Sequence, residues 1–139
     1  MDSKLYRPDP ATAGTNGVAS NFRLRDIFGL ASRPDEVAWQ PFRPNVEIYR
    51  IYGDGTSGPS AALIRFQPGG EVDLHEHDGF EHILVLSGSQ RDDNGESGPG
   101  TLIVNPPGTR HRIVSPHGCV VLAIYEKPVR FLGEDTPVA

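Results

Sequence analysis

The chain contains one cysteine, Cys119, and one tryptophan, Trp39. A single cysteine excludes an internal disulfide and any metal site built on a cysteine cluster. No apolar run approaches the roughly 20 residues needed to span a bilayer. The opening Met1-Asp2-Ser3-Lys4 lacks the apolar core of a secretory signal. A soluble, cytoplasmic protein is therefore expected, with no membrane partner. Positive charge is also scarce: 13 basic residues against 18 acidic ones leave a net charge of −5, with no basic run. Nucleic acids and anionic lipids both need a cationic surface, so neither is an expected partner.

What is abundant is turn chemistry. The 139 residues fit one domain, large enough to fold without a staple. Glycine (16) and proline (13) are frequent and scattered. That distribution favours many short strands joined by tight turns over long helices. An all-β domain is expected over residues 39–139, preceded by a partly irregular N-terminal arm over residues 1–38. Within the arm, Asp9 to Asn21 reads as loosely ordered, Phe22 to Ala31 as a turn of helix or an arm, and Asp35-Glu36 after Pro34 as a second short helical turn. Trp39 and Phe42 are expected to pin the arm onto the domain. The alternative is that Trp39 borders a ligand pocket.

From Asn45 the hydrophobic period becomes that of strands. Strands are expected at Val46–Tyr52, Pro59–Phe66, Glu71–His77, Glu81–Leu86, Gln90–Asp92, Thr101–Asn105, His111–Val114 and Cys119–Tyr125. Asn94-Gly95 is the strongest hairpin signal. The strand from Glu81 is apolar on both faces, with Ile83 and Val85 on one and Leu84 and Leu86 on the other. A half-exposed strand would alternate, so its outer face is expected to be covered by the arm or by a second copy of the chain. A homodimer is the resulting expectation.

His75 and His77 are two apart, so on a strand their imidazoles share one face. Glu81 opens the next strand after Asp78-Gly79-Phe80. An antiparallel neighbour would return it beside the two histidines. His111 follows the turn Pro106-Pro107-Gly108 and can supply a fourth ligand from another hairpin. Three imidazoles and one carboxylate suit a borderline divalent metal such as Fe, Zn, Ni or Mn rather than Ca or Mg. An octahedral ion on four such ligands keeps two positions for a small molecule. A tetrahedral zinc would be closed and structural.

Two spaced motifs carry a family resemblance. The run Gly69, five residues, His75, one, His77, three, Glu81, six, Gly88 resembles the first motif of the cupin superfamily at every defining position. The run Gly100, five residues, Pro106, one, Gly108, two, His111 resembles the second, with Ser115 where the family usually has Asn. The resemblance implies a cupin-type double-stranded β-helix, or jelly-roll barrel, with His75, His77, Glu81 and His111 holding the metal. A narrower likeness runs from Trp39-x-Pro41 through Ala61-Ala62-Leu63-Ile64-Arg65-Phe66-x-Pro68-Gly69 to Gly118-Cys119. It is similar to ChrR-type cupin domains, found in certain anti-sigma factors, and to single-domain cupin dioxygenases that cleave small ketones. The anti-sigma factors also carry a zinc domain with His and Cys ligands. This chain has no Cys or His before His75, so the anti-sigma function is not carried over.

The remaining candidates have plainer readings. His82 points away from the site and His117 sits in a turn. Cys119 is a small buried residue rather than a reactive thiol. Tyr49, Tyr52, Phe80 and Tyr125 are either ordinary core or the lining of the barrel mouth. The run Asp92 to Glu96 reads as a solvated hairpin tip, since it lacks the spacing of an EF-hand. The expected function is a metal-dependent, dioxygenase-like enzyme acting on a small oxygen-chelating substrate. The alternatives are a sensing or regulatory module and a structural zinc cupin.

Overall fold

The computed structural model describes residues 20–133. Most of the segment expected to be loosely ordered, residues 9–19, lies outside the described residues. A short helix α1 (Ile27–Ser32) and a 3-10 turn (Pro34–Glu36) precede the strands. The strands are β1 (Gln40–Arg43), β2 (Val46–Tyr52), β3 (Ser60–Phe66), β4 (Gly70–His77), β5 (Glu81–Gly88) and β6 (Gln90–Asp92), then β7 (Gly95–Ser97), β8 (Leu102–Asn105), β9 (Arg110–Ser115), β10 (Cys119–Tyr125) and β11 (Val129–Phe131). They form two sheets, ordered β1-β2-β3-β10-β5-β8 and β11-β4-β9-β6-β7. From β3 onward the chain passes repeatedly between the sheets, which is the jelly-roll arrangement.

Inner-facing side chains fill the barrel. Val46 and Ile48 of β2, Ala62, Ile64 and Phe66 of β3, and Val121 and Ala123 of β10 meet Val72 and Ile113 from the opposite sheet. β1, β7 and β11 were not expected from the sequence. Each is three or four residues long and completes a sheet edge, where side-chain alternation is too brief to read.

The hairpin signal falls one residue off. Asp92 pairs with Gly95, so Asp93 and Asn94 form the loop and Gly95 follows it at φ 127°. Gly88 is a position only glycine fits. Its φ is +70°, and an added Cβ would lie 2.1 Å from the Gly118 carbonyl oxygen.

The outer face of β5 is covered by the chain's own N-terminal segment. Leu30 and Ala31 of α1 and Val37 pack with Leu86, Leu63, Tyr49 and Val120. Trp39 joins this cluster, and its indole Nε1 donates to the Pro34 carbonyl oxygen at 2.8 Å. The Arg65 guanidinium lies 5.0 Å from the Trp39 ring while making a two-point contact with Glu47. Trp39 thus anchors this segment. Phe42 instead turns inward, against the barrel core. Farther along the same outer face, Leu102, Val104 and Ile124 stay exposed.

Candidate metal centre

β4 and β5 are consecutive, but they lie in different sheets. Glu81 is therefore not a ladder neighbour of the two histidines, as the sequence suggested. It faces them from across the barrel. The ladder neighbour is His111: on β4 and β9, His75 pairs with His111. The turn after His77 carries the chain over the barrel end, and that crossing brings a carboxylate opposite three imidazoles.

All four side chains are buried, with 2–4% exposure. The ring centroids lie 5.0 Å apart for His75–His77, 4.6 Å for His75–His111 and 4.7 Å for His77–His111. One ligand atom from each residue lies within 4.8 Å of the other three. Two donors on one transition ion sit at most about 4.4 Å apart, twice a typical bond length. A closure of a few tenths of an ångström would bring the set onto an ion.

The hydrogen bonds fix which nitrogen faces inward. His75 Nδ1 contacts the Asp73 carbonyl oxygen at 2.8 Å, and His77 Nδ1 contacts the Thr109 carbonyl and hydroxyl at 3.1 and 2.9 Å. A carbonyl only accepts, so in both rings Nδ1 carries the proton and Nε2 keeps its lone pair. His111 Nδ1 lies 3.3 Å from Asp92 Oδ2, which has the same effect. His77 Nε2 and His111 Nε2 are then buried without a hydrogen-bond partner. Glu81 Oε1 lies 2.9 and 3.9 Å from them, without hydrogen-bond geometry. Buried lone pairs converging on a carboxylate are costly unless a cation joins them. The donor set fits a divalent transition metal.

The electrostatics agree. Burial pulls His75 down to about 4, against the opposing hold of the Asp73 carbonyl. Burial likewise lowers His111, opposed by the Glu81 charge. For Glu81, burial pushes upward, but the three imidazoles, His77 foremost, bring the net value below the usual carboxylate range. At neutral pH this gives neutral His75 and His111 beside an ionised carboxylate, the state that binds metal. Asn105, the register partner of Glu81, donates from Nδ2 to Glu81 Oε1 at 2.9 Å and holds that carboxylate in place.

Several of these supporting residues escaped sequence reasoning. Asp92 was expected in a solvated hairpin tip; its side chain is only 10% exposed and turns back onto His111. Asn105 and Thr109 flank the Pro106-Pro107-Gly108 turn, and that nearness was the available signal. Gln90 was read only as the start of a short strand. It is 2% exposed, and neither atom of its amide has a hydrogen-bond partner.

One chamber adjoins the centre and a larger one lies beyond it. The inner one, about 30 Å³, is walled by His75, Glu81, Gln90 and core aliphatics. The outer one, about 260 Å³, opens at the barrel mouth. Phe42, Tyr125, Val129 and Phe131 line both, so the two lie back to back across these four side chains. Of the four aromatics considered for the mouth, Tyr125 lines it, Tyr49 packs in the outer cluster under α1, and Tyr52 and Phe80 are exposed. Burial, and then the neighbouring Glu81 charge, raise the Tyr125 phenol well above its ordinary value, so it stays protonated. His82 stacks on Phe80 outside the barrel. Cys119 is buried, its thiol pushed up to about 11, and unreactive.

The family model described as the ChrR Cupin-like domain matches residues 29–130. The chain belongs to this family. The anti-sigma-E factor ChrR of Cereibacter sphaeroides is 30% identical to this ChrR-like cupin over 134 residues, covering 94% of the chain and 60% of that protein. The chain thus spans about three-fifths of the length of that curated relative. Among solved structures, the Rhodobacter sphaeroides SigE complex with the anti-sigma ChrR superposes with a TM-score of 0.62 at 22% identity, covering 80% of this chain and 71% of that one. An acetylacetone dioxygenase from Acinetobacter johnsonii superposes with a TM-score of 0.67 at 12% identity, covering 87% and 83%. These structural likenesses speak for the cupin fold alone. No helix among the described residues is long and apolar enough to cross a membrane.

Proposed function

We propose that this ChrR-like cupin holds one divalent transition metal on His75, His77, Glu81 and His111 and acts as a mononuclear, dioxygenase-like enzyme on a small oxygen-chelating organic substrate. The observation that carries this reading is the chamber walled by His75 and Glu81, which lies directly behind the larger one at the barrel mouth. A closed structural site would have no use for a space beside its ligands. The unpartnered Gln90 amide in the same chamber supports it, because a buried amide without partners is stable only when something else fills its hydrogen bonds. When bound, the metal would supply Lewis-acid chemistry and a place for oxygen. The protein's part is to hold the four ligands in one protonation state and to shield the bound substrate with Phe42, Phe131 and Tyr125.

The test is a panel of hydroxyketones, diketones and hydroxy acids offered to the Fe(II)-loaded protein, with oxygen uptake as the readout. Turnover of one class is expected; no uptake with Fe, Mn or Ni would overturn the enzymatic reading. A second reading, a metal-held sensing or regulatory module with a protein partner, is favoured by the kinship to an anti-sigma factor. Specific recovery of one partner on immobilised protein would support it. A structural zinc site is the third outcome, marked by stoichiometric zinc that no added chelating anion perturbs.

We also propose a cytoplasmic homodimer. Support for the second copy is the exposed apolar row of Leu102, Val104 and Ile124, on the part of the outer face that α1 leaves uncovered.

A further inference from the structure

The outer chamber carries charge of one sign. Arg43 and Arg50 both line it, and no Asp or Glu does. Both arginines are half-buried, and neither forms an ion pair with a described carboxylate. Yet the chain is acidic overall, and its other half-buried arginine at this sheet, Arg65, is fully engaged by Glu47. Two guanidinium groups with no carboxylate partner among the described residues, at the entrance of a largely apolar cavity, are costly to keep unless they meet an anion.

Their position relative to the centre is fixed by the fold. Arg50 shares the inward parity of Val46 and Ile48 on β2 and lies one step nearer the mouth. Going across the sheet, Arg50 pairs with Ala62, Ala62 with Ala123, and Ala123 with Ile83, two residues from Glu81. The backbones of β2 and β5 are thus three strand spacings apart, about 14 Å, and Arg50 and Glu81 both face the barrel interior. Arg43 approaches from the other side. Its Cζ lies 4.1 Å from the Phe131 ring, and that ring lies 5.5 Å from the His75 ring. The guanidinium is no farther from His75 than these two spans laid end to end. A molecule bridging His75 and Arg43 has to be only a few bonds long.

We propose that the molecule taken at this centre is an organic anion. Its chelating oxygens face His75 and Glu81, and a separate carboxylate, beyond a short apolar spacer, is held by Arg43 and Arg50. Phe42, Val129 and Phe131 pack on the spacer, and the Ser60 hydroxyl is available beside the carboxylate. A planar singly charged carboxylate matches the guanidinium fork and costs less to dehydrate in this apolar mouth than a doubly charged phosphate. This inference rests on the reading of the centre as open to a ligand.

The test compares two probes with the same chelating end: 2-oxoglutarate, which has a distal carboxylate, and 2-oxopentanoate, which ends in a methyl group. Each is titrated into the Co(II)-loaded protein and followed by the visible cobalt bands. The dianion is expected to bind at least tenfold more tightly. In Arg43→Gln and Arg50→Gln variants the difference is expected to shrink severalfold, and in the double variant to fall below threefold, with the loss confined to the dianion. Lysine at either position is expected to restore part of it. Equal affinity of the two probes for the wild type would overturn the inference while leaving the open centre intact. If neither probe moves the cobalt bands, the open-site reading fails and this inference falls with it.

Discussion

His75 and His111 face each other as register partners on adjacent antiparallel strands, with ring centroids 4.6 Å apart. The pair joins the two sequence motifs into one site. It also places His111 where Asp92, on β6 beyond β9, can reach its outer nitrogen at 3.3 Å. Metal-bound histidines commonly depend on such an acceptor for ring orientation. Asp92→Asn is therefore expected to weaken metal affinity about 10–100-fold without unfolding the protein. A competition titration against a chromophoric chelator measures this. Unchanged affinity would mean that the contact does not orient His111.

The pH dependence of the metal-free protein has a definite sign. His75 is held down at about 4, against 6.5 when unfolded. Between those values the unfolded chain binds the extra proton, so stability is fully present above pH 6.5 and is lost as pH falls toward 4. The loss from His75 is on the order of 3 kcal/mol. His111, also lowered, adds to it, and Glu81, held below its ordinary value, extends the loss further into acid. Urea denaturation of chelator-treated protein across pH 4–7 is the measurement. The curve is expected to flatten in His75→Ala, and an equally steep curve there would contradict the assignment.

Gln90 tests whether the inner chamber is kept for a ligand. Its buried amide lacks partners, so Gln90→Leu is expected to stabilise the ligand-free protein by about 1 kcal/mol. The same change is expected to weaken binding of a chelating ligand while sparing metal content. A loss of stability would show that the amide has partners in the folded protein.

The assembly is open to a direct check. Leu102→Asp with Val104→Asp puts charge into the exposed apolar row. Sedimentation is expected to show a dimer for the wild type and a monomer for the double variant. A monomeric wild type would remove the second copy from the account.

Much of this was legible in the sequence, for physical reasons that differ by residue. His75 and His77 share a face because a strand has a period of two, and the turns before His111 and after His77 are written in Gly and Pro. The covered outer face of β5 was legible too, since Leu84 and Leu86 leave no polar side. The placement of Glu81 was not. Strand periodicity fixes which face a residue takes but not which sheet its strand joins, so a carboxylate arriving from across the barrel looked like a hairpin neighbour. Asp92 was hidden for a related reason. A charged residue beside a turn reads as solvated unless the partner that buries it, here His111, is already known. Arg43 and Arg50 carry no motif. Only the structure shows that both line one mouth and that no carboxylate lines it with them.

The central claim is that His75, His77, Glu81 and His111 hold one metal ion. Elemental analysis of untagged protein, purified without chelator, tests it most directly alongside the His75→Ala variant. Close to one equivalent of Fe, Zn, Ni or Mn is expected in the wild type, and its loss in the variant. A wild type that stays metal-free after reconstitution with each of these ions would contradict it.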